Sequence, residues 1–108
     1  MTRMKKVYIC SKYRGDVERN VEKARRYCRF ALDKGFLPIA PHLYFTQFLD
    51  DSKDEERAKG IEAGVQLLLE CSELWLFMDD GEPSVGMSYE IAMAKNNGIP
   101  IVRCLLSE

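Results

Sequence analysis

The chain has 108 residues, 46% of them hydrophobic, with 16 Lys and Arg against 17 Asp and Glu and a formal net charge of −1. That length and balance predict one soluble globular domain over residues 1–108, large enough for one core and too small for two. They exclude a disordered tail, and they lack the basic excess that a nucleic-acid polymer demands of its partner. Cys10, Cys28, Cys71 and Cys104 are widely spaced, with no C-x-x-C and His42 as the sole histidine. This is not the close pairing of soft ligands that zinc needs, and we read all four as small buried hydrophobes. No apolar run approaches the ~20 residues of a membrane span, and the first strand is too short for a secretory signal. A cytoplasmic protein with no membrane partner is expected.

Short apolar runs alternate with longer amphipathic ones, the pattern of βα units on a mainly parallel sheet. Residues 7–10 read as a first strand. Val17, Val21, Ala24, Cys28, Ala31 and Leu32 follow at helical spacing, with Asp16 as N-cap and Gly35 as stop. Residues 36–40 form a second strand closed by Pro41. Residues 42–51, rich in aromatics, read as a short helix or ordered loop, longer than a plain connection needs. A second long helix runs from Asp54 to about Cys71, with three acidic residues suited to its dipole. Its Gly60 and Gly64 either serve packing or let a ligand approach. Residues 74–78 are apolar enough for a central strand. A polar loop then leads into a helix from Ser84 or Val85 to Asn96, and residues 99–105 make the last strand, with Pro100 near its start. The charged runs 18–29 and 50–59 read as solvated helix faces. The fold class is α/β: a three-layer, Rossmann-like or flavodoxin-like sandwich on a mainly parallel sheet of four or five strands.

In such a sheet the ligand crevice lies beyond the carboxyl ends of the strands, where strand order reverses. The loops that meet there carry Ser11, Arg14, His42, Asp79, Asp80, Ser84 and Ser88. The segment Pro83-Ser84-Val85-Gly86-Met87-Ser88 opens a helix whose first N–H groups can hold an anion, and Gly86 permits close approach. Ser84 serves equally well as an N-cap. Glu90, in the second turn, faces the same crevice, and a carboxylate there can attack the anomeric carbon of a sugar. His42 suits a proton shuttle or a packing role. Tyr13, Tyr44, Phe45 and Phe48 offer stacking surfaces or, more commonly for such clusters, core or subunit contacts, and Trp75 reads as packing. After the first strand the chain reads Ser11-Lys12-Tyr13-Arg14-Gly15, with neither the dinucleotide fingerprint nor the acidic pair of a receiver.

The segment Val7-Tyr8-Ile9-Cys10-Ser11 followed by Arg14-Gly15, together with Pro83-Ser84-Val85-Gly86-Met87-Ser88-Tyr89-Glu90-Ile91, resembles the nucleoside 2-deoxyribosyltransferase superfamily. The second motif is most similar to its 2′-deoxynucleoside 5′-phosphate N-hydrolase branch. The resemblance implies a Rossmann-like sheet, a homo-oligomer with shared sites, and cleavage or transfer of the N-glycosidic bond of a nucleoside 5′-monophosphate without metal or cofactor. Glu90 would be the nucleophile and Tyr8 would orient it. Arg14, Ser84 and the amides around Gly86 would receive a 5′-phosphate, with Ser11, Gly15, His42 and Ser88 lining the ligand. The family's base-contacting aspartate has no counterpart in Gly64-Val65-Gln66, which leaves Glu62, Gln66, Asp79, Asp80 or His42 to act instead. The same motifs also suit a non-catalytic nucleotide-binding or sensing module.

Overall fold

The computed structural model describes residues 3–78 and 81–105. Four strands, β1 (Lys6–Cys10), β2 (Leu37–Ile39), β3 (Glu73–Phe77) and β4 (Ile101–Cys104), form one parallel sheet in the order β2-β1-β3-β4. The helices are α1 (Val17–Asp33), the one-turn α2 (Pro41–Tyr44), α3 (Asp54–Leu69) and α4 (Val85–Asn96). A 3-10 turn, η1 (Phe45–Gln47), follows α2. The first crossover places β2 on one side of β1 and the next places β3 on the other, so strand order reverses between the carboxyl ends of β1 and β3.

Strand alternation divides the core. Val7 and Ile9 of β1 and Trp75 and Phe77 of β3 point to the face covered by α1, where Tyr27, Phe30, Phe36 and Ala31 pack on them. Tyr8 and Cys10 of β1 and Leu74 and Leu76 of β3 point the other way, into Leu68 of α3 and Met87 and Ala94 of α4. The result is the expected three-layer α/β sandwich.

Helix termini follow local chemistry. Asp16 accepts from the Arg19 N–H at 3.3 Å and Ser84 accepts from the Met87 N–H at 3.2 Å, so both are N-caps. Gly35 (φ +91°) and Gly98 (φ +68°) turn the chain out of α1 and α4 in the left-handed region.

Several boundaries differ from the pattern-based expectation. β2 is shorter because Ala40 leaves the extended run and Pro41 starts α2, where a missing N–H costs nothing. α3 ends at Leu69, since Glu70 caps it and the Cys71 N–H turns back to Leu68 O. β4 is shorter because the Ile99 N–H bonds Ala94 O at the end of α4. Pro100 supplies only its carbonyl, to Leu74 N at 2.9 Å. Among the described residues no helix is long and apolar enough to cross a membrane.

Candidate active site

A cavity of about 850 Å³ opens at the carboxyl ends of β1 and β2, walled by α2, α3 and the start of α4. Tyr8 and Glu90 lie on its floor. Tyr8, 2% exposed, donates its phenol to Glu90 Oε2, and Cys10 Sγ lies 3.5 Å from Glu90 Oε1. The strand and the helix are both needed: β1 brings the two donors up from the sheet and α4 brings the carboxylate down onto them. Burial pushes Glu90 up to about 7, against the pull of the hydrogen bonds from Tyr8 and Cys10. Burial and the neighbouring Glu90 raise the Tyr8 phenol well above its ordinary range, so it remains a donor.

On the β2 side, Ser11 Oγ lies 3.0 Å from His42 Nε2. Burial lowers His42 to about 4, which makes it a neutral imidazole near pH 7 rather than a cation for phosphate. The η1 turn holds the His42 backbone through Thr46 Oγ1, 2.7 Å from the His42 carbonyl oxygen. At the rim, Arg14 Nε is 3.1 Å from Asp51 Oδ2, and Arg57 Nε is 3.9 Å from the other oxygen of the same carboxylate. Asn20 donates to the carbonyls of Tyr13 and Arg14, both at 3.1 Å, fixing the loop that presents Arg14.

Above the floor, the α4 N-terminus faces the cavity through Ser84, Val85 and Gly86. The Ser84 hydroxyl is occupied in capping Met87, so the cap reading holds and the amides carry the anion-binding potential. A side chain at Gly86 would project into open space, leaving room against the helix end. Gly64 of α3 lies against Pro41 and Tyr8 Oη, where a Cβ would make contacts of 3.5–3.8 Å.

The structure thus brings Tyr8, Ser11, Arg14, His42, Ser84, Gly86 and Glu90 around one cavity, together with Glu62 and Gln66. Ser88 is exposed and Gly15 also stands off the lining, the former because α4 turns it outward. Asp79 and Asp80 lie outside the described residues. Two readings need correction, and one divides. Cys10 is not merely a hydrophobe, because it contacts Glu90. The run 50–59 is not wholly solvated, since Asp51, Glu56 and Arg57 line the cavity where α3 leans over it, and in the run 18–29 Lys23 is buried. The aromatic group divides: Tyr13 and Phe45 line the cavity, whereas Tyr44 and Phe48 pack edge to face and stay exposed. The rim pair of Arg14 and Asp51 left no trace in the sequence, being 37 residues apart. No group of three or more potential ligands for a metal ion occurs among the described residues.

A family model described as "Domain of unknown function (DUF7768)" matches residues 5–104. No curated protein matches the chain. Among solved structures, a 2-deoxyribosyltransferase from the psychrotolerant bacterium Bacillus psychrosaccharolyticus aligns with a TM-score of 0.68 at 16% identity, covering 94% of this chain and 77% of that one. A 2-deoxyribosyltransferase from Leishmania mexicana aligns with a TM-score of 0.62 at 17% identity, covering 92% of this chain but only 63% of its own length. These likenesses bear out the expected fold, a parallel α/β sandwich similar to that of the two 2-deoxyribosyltransferases.

Proposed function

The chain belongs to the DUF7768 family, and from the geometry of its cavity we propose that it binds a nucleotide and cleaves or transfers its N-glycosidic bond through Glu90. The observation that carries this is the Glu90 carboxylate, half-buried at the cavity floor with its oxygens met by Tyr8 and Cys10. A carboxylate so placed attacks C1′ of a bound sugar; the C1′–N bond breaks, its electron pair leaves with the base, and a glycosyl ester forms on Glu90. Water or an acceptor base then opens the ester. A pKa of about 7 leaves a large ionised fraction near neutral pH while keeping the carboxylate basic.

The preferred substrate is a (deoxy)nucleoside 5′-monophosphate. Supporting this, the α4 N-terminus at Val85 and Gly86 and the Arg14 side chain line the same cavity. The chain acts as a homo-oligomer in this reading, since Val85 (85% exposed), Tyr89 and Ile61 leave apolar surface around the cavity mouth. Its four free thiols suit a reducing, cytoplasmic compartment. One observation favours a second reading, a non-catalytic nucleotide-binding or sensing module: where the resemblance calls for a base-contacting aspartate, Gly64, Val65 and Gln66 offer no carboxyl, and α3 presents to the cavity only the carboxyls of Glu56 and Glu62 at other positions.

The deciding experiment incubates the protein with nucleoside 5′-monophosphates, their deoxy forms and nicotinamide mononucleotide, and follows base release by chromatography beside Glu90→Gln. Release that vanishes in the variant is the expected result. Binding by thermal shift without release from any substrate transfers the assignment to the sensing module.

A further inference from the structure

Cys10 ends β1 with no exposed surface. Its Sγ lies 3.5 Å from Glu90 Oε1 and 4.0 Å from the carbonyl oxygen of Met87, one turn earlier on α4. Because side chains two apart on a strand share a face, Tyr8 and Cys10 reach the same carboxylate from below. Tyr8 takes Oε2 and Cys10 faces Oε1. Resting on the reading that Glu90 is the reacting carboxylate, we propose that Cys10 is a positioning residue whose S–H donates to Glu90 Oε1 and, opposite Tyr8, holds the plane of that carboxylate at the cavity floor.

Two further facts support this. Burial and the adjacent Glu90 both raise the Cys10 thiol far above its ordinary range, so it stays protonated and has a proton to donate. The two donors are also unequal, a phenol being strong and a thiol weak. Oε2 is therefore tied down, while Oε1 is oriented without losing its lone-pair density, and it is the oxygen left free to react. A small buried hydrophobe would fill the same space but hold nothing. Tyr8 and Cys10, both on β1, are the titratable groups that act on Glu90 among the described residues.

The test is a direct titration. In full-length protein carrying 13C-labelled glutamate, the Glu90 carboxyl signal, assigned by its loss in Glu90→Gln, is followed against pH in wild type, Cys10→Ala and Cys10→Ser. Losing a donor to the ionised form raises the midpoint in Cys10→Ala by about half a pH unit or more, and the serine hydroxyl returns it to the wild-type value or below. In parallel, the S–H infrared band of wild type shifts as Glu90 ionises and is pH-independent in Glu90→Gln. This arm needs no Cys10 variant, so a misfolded variant does not shelter the proposal. With a substrate in hand, kcat falls about tenfold in Cys10→Ala with KM within about twofold, and Cys10→Ser restores it.

A Glu90 midpoint unmoved in both variants, with an S–H band indifferent to Glu90, overturns the proposal. Equal losses of activity and melting temperature in the alanine and serine variants also overturn it, since they mark a packing role. If wild type releases no base from any nucleotide, the assignment of Glu90 as nucleophile fails separately, and the titration still decides whether Cys10 holds the carboxylate.

Discussion

The two faces of the sheet are built from the same two strands and behave as different materials. Beneath α1, Val7, Ile9, Trp75 and Phe77 meet an aromatic layer in which Tyr27 stacks on Phe77 with ring centroids 4.2 Å apart. Beneath α3 and α4, the intervening residues of β1 are Tyr8 and Cys10, and their donors aim at a carboxylate rather than at carbon. The α1 face is thus apolar packing throughout, whereas the other face adds to its own packing of Leu68, Leu74, Leu76 and Met87 a costly, partly buried carboxylate held in place. If this division is real, substitutions on the two faces must separate into effects on chemistry and effects on stability.

The largest separation is expected at Glu90. Glu90→Gln keeps the shape of the site and removes the proposed nucleophile, so base release is expected to fall on the order of 10⁴-fold or more while ligand affinity stays within a few-fold. On the opposite face, Phe77→Ala costs about 3–5 kcal/mol of stability, read by urea denaturation. The protein that remains folded keeps its turnover per site and its pH profile; a changed profile would break the comparison.

Titration sharpens it next. Glu90, raised to about 7 from 4.5, keeps a proton in the folded state that the unfolded chain has already released. Its contribution is therefore fully present below pH 4.5 and is lost as pH rises to 7, on the order of 3 kcal/mol at 1.4 per unit. His42, lowered to about 4 from 6.5, acts the other way, destabilising the fold as pH falls between those values. In Glu90→Gln only the His42 slope remains, so denaturation midpoints rise from pH 4 to 6.5 and then level. Turnover of the wild type increases with pH through about 7, because the ionised carboxylate reacts.

Two smaller effects follow. Tyr8→Phe removes a hydrogen bond to a charged group, and kcat drops about ten- to hundredfold with the acid limb displaced upward. Arg14→Ala raises KM about tenfold for a 5′-phosphorylated ligand and leaves the unphosphorylated nucleoside unchanged; equal effects on both would remove Arg14 from the phosphate rim.

Much of this was legible in the chain. The βα alternation names the fold, because strand and helix periods dictate which way each side chain points, and the runs from Val7 to Ser11 and from Pro83 to Ile91 suggest the Glu90–Tyr8 pair by their resemblance to the deoxyribosyltransferase motifs. The stretch 42–51 was not legible, since a single helical turn and a 3-10 turn carry no period long enough to read. Nor was the departure of Asp51, Glu56 and Arg57 from a solvated face, because a helix's charge pattern records its own surface and not what leans over it.

The sequence by itself therefore determined the order of strands and helices and both N-caps, which depend on local spacing, while its motifs, by resemblance, singled out Glu90 and Tyr8 as candidates. Only the tertiary structure decided that Cys10 faces Glu90 from 80 positions away, that His42 is neutral against Ser11, and that Arg14 meets Asp51 at the rim. Those outcomes depend on burial and on the crossovers that bring β2 and β3 to either side of β1, and neither exists until the chain has closed on itself.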